Sequence, residues 1–194
     1  METVTLQKTN NRKTDRRTLY TTAVIQEAVL SLLSKKEYTE ITVSAICREA
    51  EISRGTFYLH YRNIPEVIDA LFDKALGGTH SMLAQIGCAA MKDERCAYPL
   101  CHFLRENTKY QSLFFSDSLR SLVIDRIAAH GFHHFAEHVK HQSTYSEEEL
   151  FSLFCFQLSG CLTVIKHYRN ISDEAWTGIQ CTIDKLLKVG FQGL

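Results

Sequence analysis

The stretch from Thr42 to Tyr61, TVSAICREAEISRGTFYLHY, constrains the fold of this 194-residue chain more than any other part of it. It has the pattern of two short helices joined by a tight turn. Apolar residues recur at helical spacing on both sides of the turn, which indicates that the two helices share one small core. The residues expected to point into that core are Ile46, Cys47, Ala50, Ile52, Phe57 and Tyr61.

This pattern is typical of a helix-turn-helix, in which the second helix lies in the major groove of DNA. Thr42 and Ser53 stand where N-cap residues belong, one before each helix. The side chains expected to point outward from the second helix are hydrogen-bond donors and one aromatic ring, which suit phosphates and base edges. They are Ser53, Arg54, Thr56, Tyr58 and His60.

The run SRGTFYLHYRN, preceded by ITVSAICREA, resembles the DNA-binding domain of the tetracycline-repressor (TetR) family of bacterial regulators. The resemblance is specific over about residues 16–76, and beyond them it consists only of an all-helical pattern. It implies an all-α fold with two domains. Residues 1–62 would form an N-terminal arm and a three-helix DNA-binding domain, and residues 63–194 a helical domain for effector binding and dimerisation.

Two positions depart from the pattern of that family. A glycine commonly occupies the corner that Glu51 fills here, and a non-glycine corner with positive φ costs about 1 kcal/mol or more. Ile64 stands where many members carry a lysine that reaches a phosphate. That contact is either absent in this chain or replaced by Arg62.

The candidate DNA contacts fall into two groups. Arg54 and Thr56 are candidates for base edges, because a guanidinium can read guanine with two hydrogen bonds and a threonine methyl group suits thymine. The candidates for phosphate contacts are Thr42, Tyr58, His60 and Arg62, together with Arg16 and Arg17 at the expected start of the first helix. The alternative for each is an exposed side chain with no role.

Charge is distributed unevenly along a chain whose net charge is formally zero. Residues 1–62 contain 10 Lys and Arg against 7 Asp and Glu, whereas residues 63–194 contain 12 against 15. The basic end therefore carries the helix-turn-helix. A difference this small supports a nucleic-acid partner without establishing one.

The rest of the chain has the apolar periodicity of amphipathic helices, apart from a polar N-terminal arm that we expect to be disordered over residues 1–15. Capping boxes at Asn63 with Glu66 and at Ser146 with Glu149 mark two helix starts. The paired glycines Gly77 and Gly78 indicate a bend or a close-packing site. The predicted helices are 16–36, 63 to about 91, 96–115 with a break near 107–111, 117–141, 146–168 and 172–189.

The last two helices are apolar over more than one face, which is more apolar surface than one small domain needs. We therefore expect them to pair with a second copy of the chain. A dimer would also place two recognition helices on successive major-groove faces. The predicted interface residues are Phe151, Phe154, Leu158, Leu162, Ile165, Trp176, Ile179 and Ile183.

An effector pocket is expected among the helices from about Met82 to Phe135, lined by apolar side chains. The same side chains could equally fill a core, and the chemistry of the ligand cannot be derived from them. They are Phe103, Phe114, Phe115, Leu119 and Phe132.

Other classes of protein are disfavoured by the absence of their motifs. The sequence has no GxSxG, P-loop, GxGxxG or HExxH, so we predict neither catalysis nor a cofactor. His130, His134 and His138 share a helical face, but no carboxylate or cysteine completes a convincing ligand set, and no metal is predicted. The N-terminal sequence lacks the apolar core of a signal peptide, and no run approaches 18 apolar residues, which favours a cytoplasmic protein without membrane contact.

Taken together, these features predict a DNA-binding transcriptional regulator, a ligand-responsive repressor that binds a pseudo-palindromic operator as a dimer. Its expected partners are double-stranded DNA, a second copy of the chain and a small-molecule inducer. The alternative is a helical ligand-binding or scaffold protein whose helix-turn-helix does not read DNA. That alternative is motivated by the zero net charge, Glu51 and Ile64. The operator, the target genes and the choice between repression and activation stay open.

Overall fold

The structure, a computed structural model, describes residues 3–77, 99–140 and 145–192, with side chains described from Arg16 onward at most of these positions. All regular secondary structure within these ranges is helical, which confirms the predicted all-α class. Contacts divide the chain into two compact units, residues 1–74 and residues 75–194.

Unit one is built from four helices around a small apolar core. Helix α1 packs against both α2 and α3, which also pack against each other. The stripe predicted on α1 is confirmed, since Ile25, Ala28, Val29, Leu32 and Leu33 are all buried. The helices are α1 (Thr3–Leu33), α2 (Val43–Glu49), α3 (Arg54–His60) and α4 (Ile64–Gly77), with a 3₁₀ turn at Tyr38–Glu40.

The disordered arm predicted for residues 1–15 is wrong from Thr3 onward, because α1 begins there and runs without a break to Leu33. The segment lacks apolar periodicity, which is why it was expected to be unstructured. However, it contains neither proline nor glycine, so nothing in it interrupts backbone hydrogen bonding that continues from the buried half of the helix.

A charged cluster fastens the end of α1 to α2 on the outside of the core. Glu49 accepts a hydrogen bond from the Ser31 hydroxyl at 2.6 Å and pairs with the Lys35 ammonium at 2.8 Å. The hydrogen bonds from Lys35 and Ser31 lower the pKa of the Glu49 carboxyl below its usual value. Glu49 is therefore ionised at neutral pH and bonded to Ser31 of α1 and to Lys35, which lies just after this helix.

Helix α4 belongs for most of its length to unit one. The predicted domain boundary at residue 62 falls before this helix, whereas the division between the two units follows Lys74. Asn63 caps α4 as expected, since its Oδ1 accepts from the Glu66 amide at 2.9 Å. The Glu66 carboxylate accepts from the Arg62 amide instead of completing the box at Asn63. Residues 78–98, where α4 was predicted to continue, lie outside the described residues.

Unit two contains the remaining helices in the order expected from the sequence. The break predicted near 107–111 is confirmed by a 3₁₀ turn at Thr108–Tyr110. The capping box at Ser146 and Glu149 is also confirmed, with hydrogen bonds of 3.2 and 2.7 Å. The elements are α5 (Pro99–Glu106), α6 (Gln111–Phe114), α7 (Arg120–Lys140), α8 (Glu147–Tyr168) and α9 (Asp173–Gln192), with a second 3₁₀ turn at Asp117–Leu119.

The core of unit two lies where α7 packs along α8. Phe135 of α7 and Phe154 of α8 are both buried, and their rings lie 5.3 Å apart between centroids. At the start of α7, the Arg120 guanidinium donates to Thr163 Oγ1 at 2.6 Å and to the Ser159 carbonyl at 3.3 Å. These contacts fix the register of α7 against α8.

Helix α8 is, within the described ranges, the one helix long and apolar enough to cross a membrane by length and composition. Core helices of globular proteins meet the same test. Six of its residues are buried inside unit two, and its first turn carries three glutamates.

Candidate nucleic-acid interface

The corner between α2 and α3 has the geometry that the sequence predicts. Glu51 has a φ of 53°, the left-handed conformation expected for a residue at this corner. The turn is closed by the Ile52 amide, which donates to the Cys47 carbonyl at 2.9 Å. Cys47 is buried, and the burial raises the pKa of its thiol, so the side chain packs as a small neutral group.

Replacing Glu51 with glycine is expected to raise the free energy of unfolding by about 0.5 to 1 kcal/mol, measured by urea denaturation. Glycine adopts positive φ without steric cost, although part of that gain is offset by its greater freedom in the unfolded chain. Glu51→Ala is the control, because it removes the same charge but keeps the Cβ atom. An equal gain from alanine would attribute the effect to charge and not to the backbone.

Two hydroxyl groups begin the two helices of the motif, and both predicted caps are confirmed. Thr42 Oγ1 accepts from the Ala45 amide at 3.2 Å, and Ser53 Oγ accepts from the Thr56 amide at 3.0 Å. The hydroxyls of Ser53 and Thr56 also lie 2.9 Å apart. Thr42 and Ser53 remain exposed at their helix ends, so their capping roles leave them accessible to a phosphate.

Arg54, the first residue of α3, is exposed, and its guanidinium donates a short hydrogen bond to Ser44 Oγ at the start of α2. Ser44 was not among the residues predicted from the sequence. The contact joins the beginnings of the two helices and holds the longest cationic side chain of α3 beside α2. The Arg54 guanidinium is therefore held in place before any partner arrives.

The aromatic residues of α3 divide between core and surface as predicted. Phe57 is completely buried and Tyr61 is nearly so. Tyr58 is exposed, and its ring stands edge-on to Phe57 with 5.4 Å between the centroids. His60 is half-buried. Phe57 therefore positions Tyr58 on the outer side of the helix.

The predicted phosphate contact at Arg62 is engaged elsewhere in this structure. Its guanidinium lies 3.2 Å from the Glu66 carboxylate, and its backbone amide donates to the same side chain at 2.6 Å. The bonds from the Arg62 amide and guanidinium hold the pKa of Glu66 below its usual value. A phosphate would have to compete with Glu66 for this exposed arginine.

Arg16 and Arg17 are exposed as expected, but they lie well inside α1 and not at its start. The correction follows from the N-terminal extension of α1. A helix interior offers a phosphate no unpaired backbone N–H groups, so any contact here depends on the two guanidinium groups alone.

A buried polar network fixes the C-terminal end of α3. The Gln26 side-chain amide of α1 donates to the Tyr61 hydroxyl at 2.9 Å, and its oxygen accepts from Lys74 of α4 at 3.1 Å. Burial raises the pKa of Tyr61, so its hydroxyl stays protonated at neutral pH. Three segments that are distant in sequence meet at these side chains, and neither of the two contacts was visible in the local pattern.

The predicted dimer interface needs correction in unit two. Five of its residues are buried in the core of a single chain and cannot face a partner: Phe154, Leu158, Leu162, Ile165 and Trp176. Ile179 and Ile183 are half-buried, and Phe151 is exposed. The sequence pattern located the apolar faces of α8 and α9 without distinguishing the side that packs on α5 and α7.

The predicted pocket residues form ring contacts in two places. Phe103 lies 6.3 Å from Phe114, whereas Phe132 lies 5.1 Å from Phe151 of α8. Leu119 and Phe114 are buried, and Phe115 is half-buried. An open groove of about 590 Å³ lies at the start of α8, but none of the five predicted residues lines it. Its lining residues are Tyr145, Glu148, Glu149, Ser152, Leu153 and Phe156.

The described side chains contain no group of three potential metal ligands. His133 pairs with Glu137 one turn away, at 3.3 Å. The side chains of His134 and His138, which the histidine hypothesis needs together with His130, lie outside the described ones.

Helix α3 buries one face against α1 and α2 and exposes hydrogen-bond donors on the other. This arrangement is that of a helix-turn-helix DNA-binding domain. Residues 25–71 match the family described as bacterial regulatory proteins, tetR family. Over this amino-terminal segment the chain is similar to the DNA-binding domain of that family.

One curated relative supports the same assignment. Over 70 residues the chain is 34% identical to an uncharacterized HTH-type transcriptional regulator, YxbF, of Bacillus subtilis (strain 168). The match covers 36% of this chain and 18% of the relative, so it supports the assignment of only part of the chain. No solved structure matches the chain at a significant level.

Proposed function

We propose that the chain is a transcriptional repressor that binds a pseudo-palindromic operator as a homodimer and is released by a small molecule. The observation that carries the proposal is the division of α3 into a buried core face and an outer face, on which Arg54 and Tyr58 are exposed and Thr56 is half-buried. Guanidinium and hydroxyl groups on such a face suit base edges and phosphates. The proposed repressor is a cytoplasmic protein and needs neither a cofactor nor a catalytic group.

The deciding experiment measures binding of the full chain to the DNA upstream of its own coding region over a range of salt concentrations. A repressor shows sequence preference and an affinity that falls steeply with salt, because phosphate contacts release counterions. A helical scaffold protein that does not read DNA shows neither property. The experiment therefore separates the two candidate functions directly.

Within this proposal, Arg54→Ala is expected to weaken operator binding by about 1 to 3 kcal/mol and to relax the preference at one operator position. The matched control is Arg16→Ala, which should weaken all operator variants equally and lower the salt slope by about 1. Binding titrations on a set of single-base operator variants measure both effects. Uniform weakening by Arg54→Ala would reassign that residue to a phosphate.

The proposed dimer uses the apolar side chains of α8 and α9 that the single chain leaves exposed. Phe156 of α8 is 80% exposed, and Leu186 and Val189 of α9 are also exposed, one helical turn apart. Such surface is costly in water and is buried when two copies associate. A symmetric pair then presents two copies of α3 to one duplex.

Replacing Phe156 and Leu186 together with serine is expected to convert the dimer to a monomer, measured by sedimentation equilibrium. Leu19→Ser, at another exposed leucine in α1, is the control and should leave the dimer intact. A variant that sediments as the unmodified chain does would move the interface away from these two helices. A monomer should also lose the tight operator binding that depends on two half-sites.

The effector is proposed to bind in unit two, where Phe132 of α7 is half-buried and contacts the exposed ring of Phe151 of α8. Its chemistry is left to direct screening by thermal shift, since a ligand that binds the folded chain raises its melting temperature. Release of operator DNA by the same compound would establish the regulatory link.

A further inference from the structure

The outermost line of side chains on α3 is formed by Gly55 and Leu59. Successive residues of a helix are separated by about 100°, so positions two before and two after a residue lie on the opposite side of the helix from it. Because Phe57 is 0% exposed at the centre of the core face, Gly55 and Leu59 point directly away from the core. Leu59 is accordingly 82% exposed, the highest value among the large apolar side chains described as exposed.

Gly55 has no side chain, so the N-terminal half of this line is bare backbone. A Cβ atom added there would meet only Ser53 Oγ, at an ordinary contact distance of 3.6 Å, so space alone does not require glycine. The absence of a side chain nevertheless lets the backbone at this point come closer to a partner than at any other position on the outer face. Leu59, one turn further on, is the large apolar side chain that this line exposes.

A single exposed leucine needs no explanation on an ordinary surface. Its position is what distinguishes Leu59, since the outward side of the second helix of this motif is the side that enters the major groove. Polar residues flank it on both sides, with Tyr58 and Arg54 along one and Thr56 along the other. In the major groove the one apolar feature of a base pair is the C5-methyl group of thymine.

We propose that Leu59 is a specificity-determining residue that contacts thymine methyl groups, one position in each half of the operator. The inference rests on the proposed DNA-binding function and adds a base preference to it. Close approach at Gly55 brings α3 deep enough into the groove for the Leu59 side chain to reach the methyl group. Arg54 and Thr56 then read neighbouring bases by hydrogen bonds.

The test begins with duplexes selected from a random pool by the full-length chain. The selected sites are expected to carry thymine at a fixed position in each half. Replacing that thymine with deoxyuridine removes only the methyl group and keeps base pairing. Burial of one methyl group is worth about 0.8 kcal/mol, so we expect about a fourfold loss of affinity for each half-site changed.

Leu59→Ala should bind the thymine operator more weakly and should no longer distinguish thymine from deoxyuridine. Leu19→Ala is the matched control, because Leu19 is also an exposed leucine but lies on α1, and it should keep the full fourfold loss. A circular dichroism spectrum identical to that of the unmodified chain establishes that Leu59→Ala is folded, as its exposure predicts.

Three results would contradict the inference, and they differ in whether they also contradict the proposed function. If the unmodified chain selects no duplex at all, both the proposed function and the role of Leu59 are wrong. If it selects duplexes that tolerate deoxyuridine at every thymine, the role of Leu59 alone is wrong. A loss on deoxyuridine that persists in Leu59→Ala assigns the methyl contact to another residue, such as Thr56.

Discussion

Replacing Phe57 with alanine is expected to lower the free energy of unfolding of unit one by about 3 to 5 kcal/mol, which is the usual cost of truncating a fully buried phenylalanine. The ring is 0% exposed and lies between the edge of Tyr58 and the ring of Tyr61, 5.4 and 6.2 Å away between centroids. The cavity cannot close easily, because α1 and α2 both pack against α3.

Amide hydrogen exchange, measured for individual peptides of the chain, tests this prediction. Amides of α2 and α3 should lose protection in Phe57→Ala, because little of the stability of a typical domain would remain after such a loss. Leu59→Ala is the matched control, since it truncates an apolar side chain on the same helix at an exposed position. It should change stability by no more than about 0.5 kcal/mol. Equal loss of protection in the two variants would contradict the assignment of core and surface faces on α3.

The contrast between these two neighbours shows what the sequence predicts well. The spacing of Ile46, Phe57 and Tyr61 predicts which side of each short helix is buried, because helical periodicity is a local property. The caps at Thr42 and Ser53 and the strained corner at Glu51 are local in the same sense. Each depends on the conformation of one turn of chain, and each is found as predicted.

Contacts between distant segments were not predicted, because periodicity identifies a face but not its partner. Phe154 and Leu162 were assigned to a dimer interface, although they pack inside unit two. Arg62 is a different case, since its partner Glu66 is only four residues away and the pairing depends on side-chain geometry that helical periodicity does not specify. The network of Gln26, Tyr61 and Lys74 joins residues 35 and 48 positions apart, far beyond any local pattern.

The start of α1 illustrates a different limit. Residues 3–15 lack an apolar stripe, and sequence patterns detect helices mainly through such stripes. A polar segment continuous with a buried helix can remain helical without a core of its own, because extending an existing helix avoids the cost of nucleation. For this reason Arg16 and Arg17 were predicted to lie at a helix start. They lie in the interior of α1.

In unit two the largest effect is expected at Arg105, whose role is not visible in the sequence pattern. Its side chain is only 12% exposed. The guanidinium donates to the carbonyl oxygens of Tyr168 and Ile171, both at 3.2 Å, and to Asp173 at 2.8 Å. It also lies 4.8 Å from the centre of the Trp176 ring. One side chain of α5 thus holds the end of α8, the connection and the start of α9.

Arg105→Ala is expected to lower the free energy of unfolding of unit two by about 3 kcal/mol. The change removes hydrogen bonds from a charged donor, each with a net worth of about 1.5 to 3 kcal/mol, and a cation–π contact of about 0.5 to 2 kcal/mol. Water can replace part of the lost bonding because Asp173 is almost fully exposed, so the contributions do not sum. Trp176 is the single tryptophan of the chain, and its fluorescence reports this region during urea denaturation.

Two further variants separate geometry from charge at this position. Arg105→Lys keeps the positive charge but cannot serve two carbonyl oxygens, a carboxylate and a ring at once, so it should recover less than half of the lost stability. Arg169→Ala is the matched control, because Arg169 is exposed and donates to the carbonyl of Lys166, a local contact three residues away. It should change stability by about 0.5 kcal/mol or less. Full recovery of stability by lysine would show that the positive charge alone holds α8 and α9 to α5. The multiple hydrogen bonds of the guanidinium would then contribute nothing.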